Sequence, residues 1–233
     1  MPKGLAKHLC WYCSEEAGIG HFCEHCTKLQ PLPDQRDYFS FMGFERKMQL
    51  DPKKLEETFY ALSRQFHPDF YQNKSEQEKT LSLERAAILN KAFQVLKDPL
   101  QRVEYLLALE CPVPEKERMK APAALLQEVF DIQERVEIYR QAKAAGESDR
   151  LASLKEEMQQ ASKEVLEKIR VREKALEEAC QEWDSLISHP PTSAEALGEA
   201  KSKQAKKLRS ILDELTYLKT LHQSIQTGGS VVH

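Results

Sequence analysis

Two identical short spacings open the chain: Cys10-x-x-Cys13 and Cys23-x-x-Cys26, with nine residues between the pairs. Two thiolates separated by two residues can converge on one ion, and two such pairs supply the four soft donors that tetrahedral Zn²⁺ prefers. Protein then fills all four positions, which leaves no open site for catalysis and makes the single ion structural. His8, His21 and His25 lie nearby, but with four thiols available they are expected to stay outside the ligand set. A stretch this short cannot build an apolar core, so the metal should be its core. A redox reading of Cys-x-x-Cys wants a βαβ context and a single pair, and neither is present. Cys111 and Cys180 are isolated and read as structural or incidental.

The second constellation is His67-Pro68-Asp69, set between two amphipathic stretches. A three-residue match also arises by chance as a Pro-containing interhelical turn, so its context must decide. Asp51-Pro52 is a helix start, an N-cap carboxylate followed by Pro at the first helical position. The helix it opens carries Leu55, Phe59, Leu62 and Phe66 on one stripe. It must stop at His67, because the residue before Pro is pushed out of the α region. Ser75 with Glu78 forms a capping box for the next helix, which presents Leu81, Ile88, Leu89, Ala92, Phe93 and Leu96. Asp98-Pro99 opens a further helix with Val103, Leu106 and Leu107. No carboxylate pair, Ser/His/Asp set or phosphate-cradling glycine loop is recognisable, so the sequence predicts an interaction protein and not an enzyme.

These elements divide the chain. Residues 1–35 form a Cys- and His-rich module closing on Gln30-Pro31-Leu32-Pro33-Asp34, a stiff, non-helical linker expected to insulate it. Residues 37–109 are the helical middle domain, beginning with a short aromatic helix from Asp37 to Gly43. Residues 110–121, with Pro112 and Pro114, read as a connector. Residues 122–227 give three helices: about Pro122 to Ala145, about Asp149 to Ser188, and about Ser193 to Gln226. The middle one repeats Leu151, Leu154, Met158, Ala161, Val165, Ile169, Leu176, Cys180 and Trp183 in coiled-coil fashion. Short loops make these an antiparallel bundle. Residues 228–233 read as a disordered tail. The fold class is therefore all-α: a small zinc module, a helical domain and a three-helix bundle.

Composition agrees. The 233 residues are 30% charged with a mean hydropathy of −0.60, the balance of a soluble helical protein. A formal net charge of −3 gives no reason to expect nucleic acid as a partner. No apolar run approaches the ~20 residues of a membrane span. Lys201, Lys203, Lys206, Lys207 and Arg209 read as a solvated face, and His222 as polar trim. Met1-Pro2-Lys3-Gly4-Leu5 shows neither a secretory core nor a transit stretch. The expected location is cytoplasmic, or the mitochondrial matrix if a presequence precedes this sequence.

Residues 37–109 resemble a J domain, with His67-Pro68-Asp69 where its helical hairpin turns and Ile88-Leu89-Asn90-Lys91-Ala92-Phe93-Gln94-Val95-Leu96-Lys97-Asp98-Pro99 following. Asp37-Tyr38-Phe39-Ser40-Phe41-Met42-Gly43-Phe44 and Asp98-Pro99-Leu100-Gln101-Arg102-Val103-Glu104-Tyr105-Leu106-Leu107-Ala108-Leu109 resemble the first and fourth helices of the HscB (Jac) family. The double Cys-x-x-Cys front and the three-helix bundle are similar to members of that family too. The resemblance implies a co-chaperone of iron–sulfur cluster assembly. Its partners would be a DnaK/HscA-type chaperone, whose ATPase it stimulates, and an IscU-type scaffold protein as client. His67, Pro68, Asp69 and Arg64 would face the chaperone, with His67 and Asp69 touching it and not each other. Phe70 stands where a basic residue is usual, and Glu56 and Glu57 dilute the basic face of Lys53, Lys54 and Arg64. The alternative is a general J-domain adaptor for another client.

Helical phase points to a client surface. Leu125, Val129, Ile132, Val136 and Tyr139 fall on one stripe at ~100° per residue, whereas Leu126 and Phe130 lie ~100–140° off it. On the last helix Leu208, Ile211, Leu212, Leu215, Leu218 and Ile225 make the core face. Tyr217 points ~140° away from its middle. Leu126, Phe130 and Tyr217 match the positions that the HscB family uses for its scaffold client.

Overall fold

The computed structural model describes residues 9–18, 20–31, 37–112 and 123–226, except the side chains of 123–126, 128, 129, 148 and 149. His8, the linker residues 32–34, the connector residues 113–121 and the tail 228–233 lie outside the described residues. The chain divides into two compact units, Met1–Arg102 and Val103–His233.

In the first unit, α1 (Tyr38–Met42) starts where the Asp37 carboxylate accepts the Ser40 N–H at 3.0 Å. It ends at Gly43, whose φ of 76° is the left-handed cap that glycine adopts without penalty. Phe39, Phe41 and Met42 are buried. α2 (Pro52–Phe66) opens on the Asp51 carboxylate, which accepts the Lys53 and Lys54 N–H groups, with Pro52 in the first turn as expected. Leu55 and Phe66 are buried, and Phe59 and Leu62 half-buried. α3 (Glu76–Lys97) begins with the complete Ser75/Glu78 capping box and packs antiparallel to α2. Phe59 stacks on Phe93 with ring centroids 4.1 Å apart. α4 (Pro99–Glu110) follows at once, with the Asp98 carboxylate accepting the Gln101 N–H at 2.9 Å. Arg102 donates to the Met48 carbonyl at 2.8 Å, pinning the α1–α2 loop to the start of α4.

One row of α3 is unusual. Glu78, Ser82, Arg85, Leu89, Ala92 and Leu96 recur at helical spacing and all are buried. Its second half is apolar and its first half polar. Residues 9–31 belong to the same compact unit and supply the partners of that polar half.

The second unit is built on α5 (Ala123–Ala145), α6 (Ser148–Ser188) and α7 (Ala194–Gln226). Gly146 closes α5 at φ 73°. α6 has 41 residues, about 60 Å of helix. Its buried positions Met158, Ala161, Val165, Ile169, Leu176, Cys180 and Trp183 follow the expected repeat, while Leu151 and Leu154 are half-buried. On α7, Leu208, Ile211, Leu215, Leu218 and Ile225 are buried and Leu212 half-buried. On α5, Ile132 and Val136 are buried and Tyr139 half-buried. The side chains of Leu125 and Val129 lie outside those described. Arg172–Glu214 at 2.6 Å and Lys219–Glu173 at 2.8 Å bridge α6 to α7.

The basic run on α7 is more than a solvated face. Lys201 meets Glu110 at 2.9 Å, Lys207 meets Glu182 at 2.6 Å, and Arg209 donates to the Cys111 carbonyl. Half-exposed pairs of this kind stabilise by ~0–1 kcal/mol each, so the bundle rests on its apolar seam. Trp183, 1% exposed, is the largest side chain in that seam. Trp183→Ala is expected to lower unfolding free energy by about 3–5 kcal/mol, measured by chemical denaturation.

Candidate metal centre and interaction surfaces

The candidate metal centre is made of two similar loops, called the metal loops below. In the first, the Ser14 N–H meets the Cys10 carbonyl at 3.0 Å and the Cys10 N–H meets the Glu15 carbonyl at 2.7 Å. In the second, the Thr27 N–H meets the Cys23 carbonyl and the Cys23 N–H the Lys28 carbonyl, both at 2.9 Å. Single antiparallel bridges, Leu9 with Glu16 and Phe22 with Leu29, close the loops. Ser14 (φ 62°) and Thr27 (φ 57°), each following the second cysteine of its pair, sit in the left-handed region. For β-branched Thr27 this is a strained conformation, held by the turn around it.

The loops bring the four Sγ atoms within 4.8 Å of one another. Cys10 and Cys26 are 3.6 Å apart, and Cys13 and Cys23 3.8 Å. A tetrahedron with metal–sulfur bonds of about 2.3 Å has edges of about 3.8 Å, so the set fits one ion. All six cysteines are free thiols. Burial works to raise the Cys10 thiol, but hydrogen bonds from the Cys13 and Tyr12 backbone and from Cys26 and Cys13 outweigh it and bring it to about 6. The Glu15 backbone works to lower Cys13, but burial and the neighbouring thiols push it up to about 12. Four sulfurs this close cannot all ionise without a cation among them, and a cation reverses that cost.

The metal loops are not insulated from the helices, contrary to the expectation placed on the Pro31/Pro33 linker. His21 sits edge-on between Phe41 and Phe66, with both ring centroids 4.9 Å away. Its Nε2 is 2.9 Å from the Phe41 carbonyl and its Nδ1 2.6 Å from Arg85 Nη1. Both ring nitrogens are therefore engaged with protein groups. His21 stays outside the ligand set as expected, yet it is a central packing residue. His25 is exposed. Arg85, 1% exposed, also donates to the Gln30 carbonyl. Lys28 meets Glu78 at 2.9 Å. Linker chemistry hid this docking. The signal that could have revealed it was the polar half of the α3 row, which demands partners from another element.

The turn after α2 is a 3₁₀ segment, Pro68–Tyr71. Its supports are internal: Ser82 Oγ donates to the Phe66 carbonyl at 2.7 Å and Tyr71 Oη to the Gln65 carbonyl at 3.0 Å. The side chains of His67 and Asp69 are 51% and 69% exposed, and Pro68 is half-buried. His67 and Asp69 do touch, which corrects the sequence expectation. His67 Nδ1 accepts the Asp69 N–H at 3.3 Å and lies 3.5 Å from Oδ2. The cause is local: an N-cap side chain reaches the second residue of its own turn. Arg64, Tyr60 and Phe70 are exposed on the same hairpin.

In the bundle, Phe130 on α5 is 63% exposed and Tyr217 on α7 half-buried, both off the buried faces. α5 and α7 pack together. Leu126 falls in α5, but its side chain lies outside those described. No described helix is long and apolar enough to cross a membrane.

The DnaJ domain family model matches residues 37–105. A Mus musculus protein, iron-sulfur cluster co-chaperone protein HscB, is 41% identical over 132 residues, covering 54% of this chain and 56% of that protein. The co-chaperone protein HscB homolog of Azoarcus sp. (strain BH72) is 35% identical, covering 56% of this chain and 73% of that protein. The crystal structure of human co-chaperone protein HscB superposes with a TM-score of 0.64 at 26% identity, covering 94% of this chain and 96% of that one. In sequence, the match spans about half the length of the mouse protein and its Arabidopsis thaliana counterpart.

Lys28 and Glu78 give the docked loops a pH signature. Burial alone would raise the Glu78 carboxyl, but Lys28 and Ser75 outweigh it and hold it below the usual carboxylate range. A depressed folded value contributes stability that is complete above the unfolded value of about 4.3 and is lost as pH falls through the folded one. Denaturant unfolding of the first unit should therefore weaken as pH falls below about 4.3, and Glu78→Gln should flatten part of that decline.

Proposed function

Because the chain belongs to the HscB co-chaperone family, we propose that it stimulates the ATPase of a DnaK/HscA-type chaperone and delivers to it an IscU-type scaffold during iron–sulfur cluster assembly and transfer. The observation that carries this reading is the His67-Pro68-Asp69 turn. It lies inside the residues matched by the DnaJ domain model, on a hairpin whose two helices are capped and packed, with both ionisable side chains outward.

On this reading residues 37–109 act as the J domain and residues 122–227 as the client bundle. Hydrolysis takes place in the partner, and this chain contributes no catalytic group. Pro68 fixes the turn, His67 and Asp69 dock into the chaperone, and Arg64 on the last turn of α2 adds a positive charge beside them. The weak contacts of His67 with Asp69 are ones a partner can replace. Cys10, Cys13, Cys23 and Cys26 hold one Zn²⁺, whose part is structural because protein thiolates complete its coordination.

His67→Gln is expected to abolish stimulation of the partner ATPase while far-UV circular dichroism stays unchanged, because Pro68 still ends α2 and Ser82 and Tyr71 still satisfy its last carbonyls. Stimulation equal to wild type in a steady-state hydrolysis assay would overturn the assignment.

Leu126, Phe130 and Tyr217 are assigned to the scaffold client. Burial of each in a partner contributes ~1.5–3 kcal/mol, and such clusters concentrate affinity. Replacing all three by Ala should weaken scaffold binding by more than ~100-fold, or ~2.7 kcal/mol, in a titration, with little change in the thermal melt. A general adaptor with a different client would show no scaffold binding to lose.

A further inference from the structure

The residue before the tripeptide, Phe66, is fully buried, and the rings around it come largely from the metal loops. His21 meets it at 4.9 Å and Phe22 at 6.1 Å between centroids. Both immediately precede Cys23. Beyond the tripeptide, the cap of α3 is also held from the metal side, since Lys28 reaches Glu78 at 2.9 Å. Between these anchors, Ser82 grips the Phe66 carbonyl and Arg85 grips His21 and Gln30.

Gln30 connects the two systems directly. Its side-chain Nε2 donates to Cys10 Sγ at 3.3 Å, while its carbonyl accepts from Arg85. One residue thus touches a metal-binding sulfur and the guanidinium that organises α3. The cluster buried between the two loops is Cys10, Cys23 and Ala17, flanked by Cys13 and Cys26. Where the ligands are the core, metal binding free energy is folding free energy.

We propose that the four-cysteine centre positions the His67-Pro68-Asp69 turn. With its ion bound, residues 21–30 clamp Phe66 and the N-terminal half of α3. Loss of the ion slackens the hairpin on both sides of the turn and lowers its effect on the partner chaperone. This deepens the functional reading above and rests on it for the last step. Phe22 and His21 are positioning residues here: they act through Phe66 and touch no partner.

Amide hydrogen exchange on the full chain tests the clamp. Zinc-bound protein is compared with protein stripped by excess chelator, following peptides that cover residues 60–71 and 78–89, with residues 160–183 of α6 as internal control. Stripping should speed exchange in the first two by at least about 10-fold and leave the control unchanged. Phe22→Ala removes a ring from Phe66 without touching a ligand. It should retain one zinc per chain by elemental analysis yet exchange faster in the same two segments, and Phe22→Leu should recover most of the protection. Unchanged exchange on stripping, or a zinc-bound Phe22→Ala indistinguishable from wild type, would overturn the clamp. ATPase stimulation should fall together with protection, and a stripped chain that still stimulates fully would overturn its regulatory half. A zinc-bound wild type that stimulates no DnaK-type chaperone would overturn the functional reading instead, and exchange would then decide the clamp alone.

Discussion

A guanidinium almost wholly withdrawn from water ties the cysteine loops to the helices. Arg85 is 1% exposed, and a charge in that position is stabilising only if its donors are satisfied. A guanidinium only donates, so His21 Nδ1 accepts from it and Nε2–H is left to donate to the Phe41 carbonyl. The Gln30 carbonyl takes another donor. These acceptors lie on the segment around the second cysteine pair, and none is an apolar contact that another residue could mimic. The buried row of α3 therefore fixes both the place and the orientation of residues 21–30.

That dependence runs in both directions. The cluster buried between the cysteine loops is Cys10, Cys23 and Ala17, flanked by Cys13 and Cys26, and Thr27 is held in a left-handed conformation that an unrestrained chain would leave. An ion among the four sulfurs would hold the two loops together, and the loops in turn cover Phe66, give Arg85 two neutral acceptors and pair Lys28 with Glu78. Removing any one partner leaves a buried polar group without its complement, which is more damaging than replacing the whole set by apolar residues. Polar docking of this kind also sets register, since a guanidinium aimed at a particular carbonyl and a particular ring nitrogen tolerates little slippage.

Much of this was legible in the sequence. The paired Cys-x-x-Cys spacing named four cysteines whose sulfurs the fold brings together. Asp51-Pro52, Ser75 with Glu78, and Asp98-Pro99 marked helix starts that the structure places there, because capping is a local matter of a few backbone N–H groups. Apolar periodicity gave the seam of the bundle, including the exposed phase of Phe130. What was missed is long-range and polar. Gln30 and Pro31 read as linker, yet Gln30 is buried between Cys10 and Arg85. Periodicity counts apolar residues, so Glu78, Ser82 and Arg85 dropped out of the α3 row although they continue the spacing of Leu89, Ala92 and Leu96. A polar residue in core phase is a demand for a partner, and the sequence does not say which element answers it. The basic run on α7 is a solvated face at Lys203, Lys206 and Lys207, but Lys201 and Arg209 find partners at Glu110 and Cys111, far away in the chain.

On the functional reading above, the buried network also bears on the exposed turn. The turn is supported from within the hairpin: Phe66 is buried in a cage of rings and its carbonyl meets buried Ser82, while at the surface the Gln65 carbonyl meets Tyr71 and the His67 carbonyl the Phe70 N–H at 3.0 Å. With the backbone fixed from inside, His67 and Asp69 need no scaffold of their own at the surface, and the contacts between them at 3.3 and 3.5 Å are long. A partner that replaces those contacts orders little that is not already ordered, and preorganisation of this kind is where a small surface gains affinity. The exposed side chains give the turn its chemistry, but its geometry is set one layer down, by the buried Phe66 ring and by its carbonyl in the grip of Ser82.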